Sequence, residues 1–307
     1  MEVQVLYNTP HEIYLGTLIA FYFYLTGLSA GSFVISVIST IGGKVEYKPI
    51  GRIGAWLAPL LLILAPINLI LDLEQPFRFW HLFYYLNFTS PITYGTFLLT
   101  LYPINCLIYL FYLMKGDDRL SKLFGIMGIP LAVAVHGYTG FILALGKGRA
   151  LWSTALMPTL FLVSAMVSGI ALVILVASFR YIWMNHKGAF PTEERREQER
   201  KLIYGLGKFM GGLIIMDLFL VANDILVLLT SHIEALEVAK LIMKGPFAPL
   251  FIGVEIILGG IVPIFIIFYP RLGRSLKGVM SASVLTLVGV LAMRIVVVIA
   301  GQYIPLH

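Results

Sequence analysis

Residues 154–183 read TALMPTLFLVSAMVSGIALVILVASFRYIW, and no charged side chain interrupts this stretch before Arg180. A helix needs roughly 20 mainly apolar residues to cross a hydrocarbon core of ~30 Å, so the stretch is long enough to span a membrane. Apolar residues occupy it throughout instead of alternating with polar ones. It therefore predicts a membrane helix and excludes a strand of a membrane β-barrel.

Comparable apolar runs follow one another along the whole chain. We number them spans 1 to 8, and they cover residues 13–41, 51–72, 88–114, 123–146, 154–183, 204–230, 247–269 and 276–300. Of the 307 residues, 59% are hydrophobic and only 12% are charged, values that soluble domains rarely approach. The sequence therefore predicts an all-α integral membrane protein with eight transmembrane helices. No Lys or Arg precedes span 1, so we expect no separate cleavable signal sequence.

Basic residues predict the orientation, because cytoplasmic loops retain Lys and Arg. The connections after spans 2, 4 and 6 hold Arg78, Lys147, Arg149, Lys240 and Lys244. The remaining Lys and Arg, except Arg294, lie at the other ends of the spans. We therefore expect both termini outside and a location in the cytoplasmic membrane. The formal net charge of +6 then reflects topology and indicates no nucleic-acid partner.

Two segments lie outside the spans. The inner segment from His186 to Lys201, which contains TEERREQERK, is interpreted as the longest connection. It predicts a division of one membrane domain into residues 1–186 and 187–307, with spans 1–4 as one four-helix bundle and spans 5–8 as the second. The outer segment 73–87, LEQPFRFWHLFYYLN, is rich in aromatic residues, as expected for a segment at the membrane interface.

Cysteine and histidine content restricts the cofactors. Cys106 is the sole cysteine, so the chain lacks the thiolates for an iron–sulfur cluster, and any cluster must belong to a partner. Of the six histidines, only His136 lies deep inside a span. A membrane haem usually needs two facing histidines, so we expect no haem and no metal. A hydrogen bond to a neighbouring helix is the preferred role for His136.

Ionisable groups inside spans are the candidate functional residues, because each costs roughly 2.5–3.5 kcal/mol to insert. Four lie well inside, and they are Asp217, Asp224, Glu255 and Arg294. Asp72 closes span 2. Five polar residues are predicted in the outer half of the bilayer, where they could share one site: Asp72, Tyr138, Asp224, Glu255 and Arg294.

Two interpretations of these charges remain open. Arg294 either pairs with Glu255 or Asp224 and locks the bundle, or belongs to a functional network. Asp217 and Asp224 are seven residues apart and thus share one helix face, which is the arrangement of a proton path. Asp217 has no second basic residue to pair with, which favours a neutral acid or a proton carrier.

Several motifs occur in a characteristic order. Residues 22–31 read YFYLTGLSAG, 71–79 read LDLEQPFRF, 89–95 read TSPITYG and 255–263 read EIILGGIVP. Span 5 carries Trp152-Ser153, Pro158, Phe161, Ser164 and Gly169, and span 8 carries Arg294 and Gly301-Gln302. Together they resemble the NrfD/PsrC family, the integral membrane subunits of polysulfide reductase and related molybdopterin oxidoreductases.

The resemblance implies an eight-helix subunit of two bundles that binds menaquinone or ubiquinone near the outer face. Quinol would be oxidised there, and its electrons would pass to an iron–sulfur subunit docked outside. That partner would feed a molybdopterin-type catalytic subunit. The chain would then belong to an oxidoreductase complex whose terminal catalytic site lies on another chain.

The resemblance also assigns site residues. Tyr138, within 137–140 GYTG, matches the quinone-contacting tyrosine of the family. Some members carry an asparagine and a histidine about one turn before GLxAG, where this chain has Ile19 and Tyr22. Asn8 and His11 have the same spacing but lie about three turns further out. The predicted quinone site comprises Tyr138, Tyr22, Asp72, His11 and Asn8, and the predicted charge network comprises Asp217, Asp224, Glu255, Arg294 and His136.

Arg78 and Trp80 in the outer segment are a candidate docking surface for the partner, although interface anchoring explains them equally well. Two other functions are consistent with buried charges. An ion-coupled transporter would show broken helices at corresponding positions, whereas Pro130 in span 4 and Pro263 in span 7 do not correspond. A membrane anchor without quinone chemistry would have little need for four charged groups inside its spans.

Overall fold

The computed structural model describes residues 13–42 and 45–304, and all secondary structure within these ranges is helical. Eight helices within them are long and apolar enough to span a membrane. Spans 1 to 8 are Thr17–Ile41, Lys48–Leu71, Pro91–Lys115, Asp118–Ala144, Met157–His186, Glu193–Thr230, Pro249–Phe268 and Leu276–Tyr303. The predicted all-α, eight-span architecture is confirmed. We call the end at which span 1 begins and span 8 ends the outer end, and its side of the membrane stays a prediction.

Local sequence explains several helix ends. Span 3 begins with a proline at its first position, where no backbone N–H is needed, and ends at Gly116 with a φ of 81°. Asp117 caps the next helix by accepting hydrogen bonds from the backbone N–H groups of Arg119 and Leu120 at 3.1 and 3.0 Å. Span 4 therefore starts directly after a two-residue reversal.

The segment His186–Lys201 is shorter as a connection than the sequence predicts. Thr192 caps a helix that begins at Glu193, so most of TEERREQERK extends span 6 beyond the apolar run. The pairs Arg196–Glu193, at 3.0 Å, and Arg200–Glu197, at 3.7 Å, stabilise this extension. The prediction of a long loop was wrong because alternating charges at helical spacing resemble a polar loop.

Other short helices lie at the outer end. The segment between spans 2 and 3 contains the turns Pro76–Arg78 and His81–Tyr84. The amphipathic helix Ile233–Lys244, which sequence analysis did not predict, joins spans 6 and 7. Its buried side chains are apolar, and its basic residues stay accessible.

Span 7 is π-helical over Pro249–Ile261 and continues as the α-helix Val262–Phe268. Long π-helical stretches are rare, and short ones cluster at functional sites. A π-helix has more residues per turn than an α-helix, so α-helical spacing does not predict which side chains of this segment share a face. Glu255 lies in the middle of this segment.

Buried apolar side chains form two clusters. The smaller one comes from spans 1–4 and includes Phe33, Tyr102 and Tyr109. The larger one unites spans 5–8 but also contains side chains from spans 1 and 2, such as Tyr22 and Ile50. Span 1 therefore contributes to both clusters, and the division at residue 186 into two bundles stays a prediction.

Spans 1 and 5 cross at their glycines. A Cβ atom on Gly31 would lie 2.9 Å from the Cα atom of Gly169 and would also strike the Ala165 carbonyl. The hydroxyl of Ser29, which lies shortly before Gly31 in span 1, donates to the Ala58 carbonyl of span 2 at 2.8 Å. Small residues permit this close packing, as is usual between membrane helices. The crossing places span 1 at the centre of the protein.

The end of span 8 is fixed to the start of span 1. Gln302 donates to the Leu15 carbonyl at 3.0 Å and accepts from the Leu15 N–H at 2.9 Å. The Trp152 indole donates to the Val297 carbonyl at 2.7 Å and packs directly on Gly301. The Trp152-Ser153 and Gly301-Gln302 motifs therefore have a common structural role.

Candidate functional site

Tyr138 is positioned by a glycine on a different helix. A Cβ atom on Gly95 would lie 2.5 Å from the Tyr138 hydroxyl and from two of its ring carbons. Gly95 belongs to the TSPITYG motif at the start of span 3, and Tyr138 lies near the outer end of span 4. The two motifs therefore form one structural unit in which the glycine makes room for the phenol.

Tyr22 supplies a second phenol from span 1. Its side chain is buried, and its ring packs against Phe23 at a centroid distance of 5.4 Å. It interacts electrostatically with Tyr138. Neither phenol makes a hydrogen bond to any residue within 13–42 and 45–304. The two phenols are thus close enough to interact electrostatically, and neither hydroxyl is engaged by a described residue.

Asp72 lies just past the last residue of span 2. Its carboxylate contacts the backbone of Gly16, so that a Cβ atom there would lie 2.8 Å from Oδ1. Partial burial raises the pKa of Asp72 above its usual range, and a backbone hydrogen bond from Gly16 partly offsets this. Gly16 precedes span 1 by one residue, which places Asp72 at the mouth of the helix array, farther out than Tyr22.

Asn8 and His11 lie outside the described residues. Arg78 and Trp80 are both exposed in the segment between spans 2 and 3, and Trp80 stacks on His81 at a centroid distance of 3.9 Å. Phe77, beside them, has 93% of its surface exposed. The outer segment therefore presents aromatic and basic groups outward, as both of its predicted roles require.

Arg294 is fully buried between spans 5 and 8. One terminal nitrogen, Nη2, donates to the Ser164 hydroxyl at 2.6 Å and to the Phe161 carbonyl at 3.3 Å. The guanidinium also stacks over the Phe161 ring, 3.8 Å from its centroid. Nε and Nη1 have no hydrogen-bond partner among the described residues. Neutral dipoles and an aromatic face, instead of a carboxylate, surround this charge.

His136 is the third residue in contact with Arg294. Its Nε2 atom lies 3.3 Å from Nη2, and a guanidinium has donors only, so Nε2 must accept. The histidine is then neutral with its proton on Nδ1, an atom that has no hydrogen-bond partner among the described residues. The ring rests on Gly27 of the GLSAG motif, where a Cβ atom would lie 2.9 Å from Cε1. The structure thus contains the expected hydrogen bond to a neighbouring helix.

The ion pair that sequence analysis left open does not form. Within residues 13–42 and 45–304, neither Glu255 nor Asp224 lies within 4.0 Å of a basic nitrogen of Arg294. Arg294 interacts with Asp217 and Glu255 only at longer range. It therefore sets the electrostatic potential between helices and does not join a salt bridge.

Asp217, Asp224 and Glu255 form a row between spans 6 and 7, which we call the carboxylate row. Asp224 and Glu255 line one small cavity of about 30 Å³, and Asp217 and Glu255 line a second of about 20 Å³. Each volume suffices for about one water molecule. One oxygen of each carboxyl is buried without a hydrogen-bond partner in the described structure. Glu255, shared by both cavities, is the middle member.

The row runs along the helix axis. The seven residues from Asp217 to Asp224 rise about 10.5 Å along span 6. The Thr154 side chain, in the connection before span 5, interacts with Asp224 at the outer end of the row. Asp217 interacts with Glu255 and lies deeper. The arrangement is thus a line of acids leading inward from the outer end.

The candidate site residues lie on two sets of spans. Tyr22, Tyr138 and Asp72 lie around spans 1–4, whereas the carboxylate row lies between spans 6 and 7. His136 is two residues from Tyr138 and contacts Arg294, which in turn interacts with the row. Helix direction places residues by depth but says nothing about lateral position, so a single site shared by all five polar residues predicted for it stays a prediction.

Some functional candidates were missed or given no role. Ser164 and Phe161 were recognised as part of the span 5 motif, but nothing in the sequence indicated that they contact Arg294. No sequence feature identified Thr154 or Thr286 as a candidate. Thr286 lines the cavity between Asp217 and Glu255. No group of three His, Cys, Asp or Glu residues in the described part of the chain could hold a metal ion.

Eight apolar helices, two phenols at one end and a buried row of acids define a multi-pass integral membrane protein with an internal polar route. Residues 5–305 match the family described as polysulphide reductase, NrfD. The chain belongs to this family, so the resemblance in the sequence motifs is confirmed.

Individual relatives come from several complexes. The chain is 30% identical over 288 residues to the Hdr-like menaquinol oxidoreductase integral membrane subunit of Archaeoglobus fulgidus, which covers 92% of the chain and 69% of that protein. It is 27% identical to a selenate reductase subunit of Mesobacillus selenatarsenatis, with coverage of 94% and 74%. It is 33% identical over 173 residues to one of the polysulfide reductase chains of Wolinella succinogenes, over half of the present chain and 55% of that protein.

Proposed function

We propose that this chain is the quinone-binding membrane subunit of a respiratory oxidoreductase complex. The observation that carries the proposal is the pair of phenols, Tyr22 and Tyr138, which lie together near the outer end without a hydrogen-bond partner among the described residues. A phenol can donate a hydrogen bond to a quinone carbonyl. The membership of a menaquinol oxidoreductase subunit among the relatives supports the same ligand class.

The residues of the site have distinct roles in this proposal. Tyr138 donates a hydrogen bond to one quinone oxygen and, being half-buried, remains reachable from the bilayer. Tyr22 forms the buried wall opposite. Asp72 takes a proton at the mouth, a role that its raised pKa favours. Quinol supplies the redox chemistry and releases two electrons and two protons as it becomes quinone. Menaquinone and ubiquinone both meet these requirements.

The carboxylate row moves protons in the same proposal. Glu255 lines both small cavities, so a proton can pass between Asp224 and Asp217 through it. Arg294 and His136 lie between the phenols and the row. They couple the two regions electrostatically, because a charge in a low-dielectric interior acts over several ångströms.

The electrons must leave through partner chains. A single cysteine, Cys106, cannot bind a cluster, so the acceptor is an iron–sulfur subunit that passes electrons to a molybdopterin-type catalytic subunit. Relatives named as parts of selenate and polysulfide reductases support such an assembly. We place both termini and the docking loop with Arg78 and Trp80 on the outer face of the cytoplasmic membrane.

The test is quinol oxidation by the purified complex. We expect Tyr138→Phe to lower the rate at least tenfold, since it removes one hydroxyl and leaves the ring on Gly95. Asp72→Asn should lower the rate by removing the proton acceptor. Tyr94→Phe is the matched control, because Tyr94 neighbours Gly95 but faces outward and donates to the Phe88 carbonyl at 2.9 Å.

Unchanged rates in both site variants, with quinone still bound, would remove the phenols from the site. Unchanged rates without bound quinone would instead support a membrane anchor. Ion flux in the absence of partner subunits would support the transporter alternative. Rate and quinone content are measured on the complex, and ion flux on the isolated subunit in vesicles, so the three outcomes are distinguishable.

A further inference from the structure

A groove lies at the end opposite the outer end, between spans 2 and 5 and the start of span 6. Its volume is about 650 Å³, within the range of roughly 300–1,000 Å³ that is usual for ligand pockets. It is remote from the phenols and the carboxylate row, which lie toward the outer end. The proposed function therefore assigns no role to this groove.

The walls of the groove are apolar. Trp56 and Leu57 of span 2 face Val176 and Met184 of span 5, and Phe190 closes the groove at the loop. Trp56 has 57% of its surface exposed on the outside of the helix array. On a membrane helix such a side chain meets acyl chains, so the groove opens toward the lipid.

The rim of the groove is basic. Lys48, Arg52, Arg180 and Arg195 line it, and Glu199 is the one acidic residue among the described residues of its lining. Glu199 pairs with Arg180, but the Nε atom of Arg180 is buried without a hydrogen-bond partner in the described structure. Lys48 and Arg52 make neither an ion pair nor a hydrogen bond to any described residue.

The cations are arranged to act together. Lys48, Arg52 and Trp56 follow one another at intervals of about one helical turn, so all three project from one face of span 2. Arg180 approaches from span 5, on the opposite side of the groove. An anion between the two helices would therefore meet positive charge from both sides, directly beneath the apolar walls.

We propose that this groove is a binding site for an anionic diacyl phospholipid. The phosphate binds Lys48, Arg52 and the Nε–H of Arg180, and the acyl chains lie along Trp56, Leu57 and Val176. Basic pockets between membrane helices on the cytoplasmic side recognise lipid headgroups in this way. Arginine N–H groups form strong charge-assisted hydrogen bonds to phosphate oxygens. A zwitterionic lipid lacks the net charge, and a free phosphate lacks the chains.

The test uses the full chain in neutral detergent, titrated with dioleoyl phosphatidylglycerol and followed by native mass spectrometry. The variant Lys48→Gln/Arg52→Gln should bind the lipid about 25-fold more weakly, since each juxtamembrane cation contributes about a fivefold effect. The control Arg271→Gln/Arg274→Gln removes the same charge at the same end, outside the groove, and should stay within about twofold.

Three outcomes would overturn the proposal. Equal binding of phosphatidylcholine would show that charge is not recognised. Displacement of the lipid by millimolar inorganic phosphate would identify a simple anion site. An equal loss in the Arg271/Arg274 control would show that general surface charge is responsible.

A second measurement locates the acyl chains. Phosphatidylglycerol with brominated chains should quench tryptophan fluorescence in the full chain, and Trp56→Phe should remove a large part of the quenching. Brominated phosphatidylcholine should give a smaller Trp56 component. If Trp56→Phe leaves the quenching by phosphatidylglycerol unchanged, the lipid does not occupy the groove.

Discussion

Spans 1 and 3 are equally long, at 25 residues each, but occupy different positions in the protein. In the most apolar part of span 1, 72% of the residues are buried, against 28% in span 3. Between Gly27 and Ser32, span 1 carries small residues at every position except Leu28. Span 3 is dominated by leucine and tyrosine. Apolar character thus marks a membrane helix, and side-chain size marks its place within the bundle.

The difference also explains where polar chemistry lies. A peripheral helix turns a narrow stripe inward, and in span 3 that stripe includes Gly95, Tyr102 and Asn105. Span 6 is equally peripheral, at 28%, and its inward stripe carries Asp224. Peripheral spans thus contribute to both regions, with Gly95 of span 3 beside Tyr138 and Asp224 of span 6 in the carboxylate row.

The largest expected effect comes from the crossing of the central helices. Gly31→Leu should prevent folding, because the side chain would overlap the backbone of span 5, at a cost of at least about 3 kcal/mol. Gly212→Leu is the control, since a Cβ atom there has no neighbour within 4 Å. The monodisperse fraction after detergent extraction measures both. Equal yields of the two variants would show that small residues are not required for the central packing of span 1 against span 5.

The second-largest effect is expected on quinol oxidation, from a change at Asp224 on the buried face of span 6. Asp224→Asn should lower quinol oxidation by about tenfold or more, because proton transfer by a positioned acid typically contributes 10²–10⁴ in rate. The fold should persist, since the change is isosteric. Asp118→Asn, at an exposed position of the opposite end, should leave the rate unchanged. A normal rate in Asp224→Asn would remove the carboxylate row from the proton path.

A smaller effect on rate and stability is expected from a change at Gly95, on the buried face of span 3. Gly95→Ala should displace the Tyr138 ring, lowering the rate severalfold and the stability by about 1 kcal/mol. Gly205→Ala, where a Cβ atom meets nothing within 4 Å, is the control. The loss should not add to that of Tyr138→Phe, because both changes act on one phenol. Additive losses would mean that Gly95 acts through another residue.

The smallest effect is a pH dependence of stability at Asp72. Because burial raises its pKa, Asp72 favours the folded state when protonated and loses this contribution as pH rises through its folded pKa. Relative to the native chain, Asp72→Asn should gain stability as pH rises above about 4, the ordinary pKa of an aspartate. Thermal unfolding of both proteins across this range measures the difference, and Glu74→Gln is the neighbouring control. A constant difference would mean that Asp72 is not perturbed.

Much of the fold was predictable because a lipid bilayer accepts only long, mainly apolar helices or closed barrels. Uninterrupted apolar runs such as residues 154–183 need only length and composition to be recognised as spans. The structure places seven of the eight helices within these runs or a few residues beyond them, and span 6 alone of the eight begins much earlier. The extension of span 6 from Glu193 was not recognised, since its helix depends on a cap and charge pairs in water. The π-helical segment around Glu255 had no recognisable signal.

The candidate site was predictable in its members but not in its arrangement. A motif singled out Tyr138. Arg294 and Glu255 were singled out because ionisable residues are costly in lipid and therefore few. Only tertiary structure could place Gly95 under Tyr138, Gly27 under His136, and Ser164 with Phe161 around Arg294. These contacts join residues on different helices, far apart in the sequence, whereas helical periodicity describes a single helix. Which helices become neighbours is decided by how side chains of different size pack together.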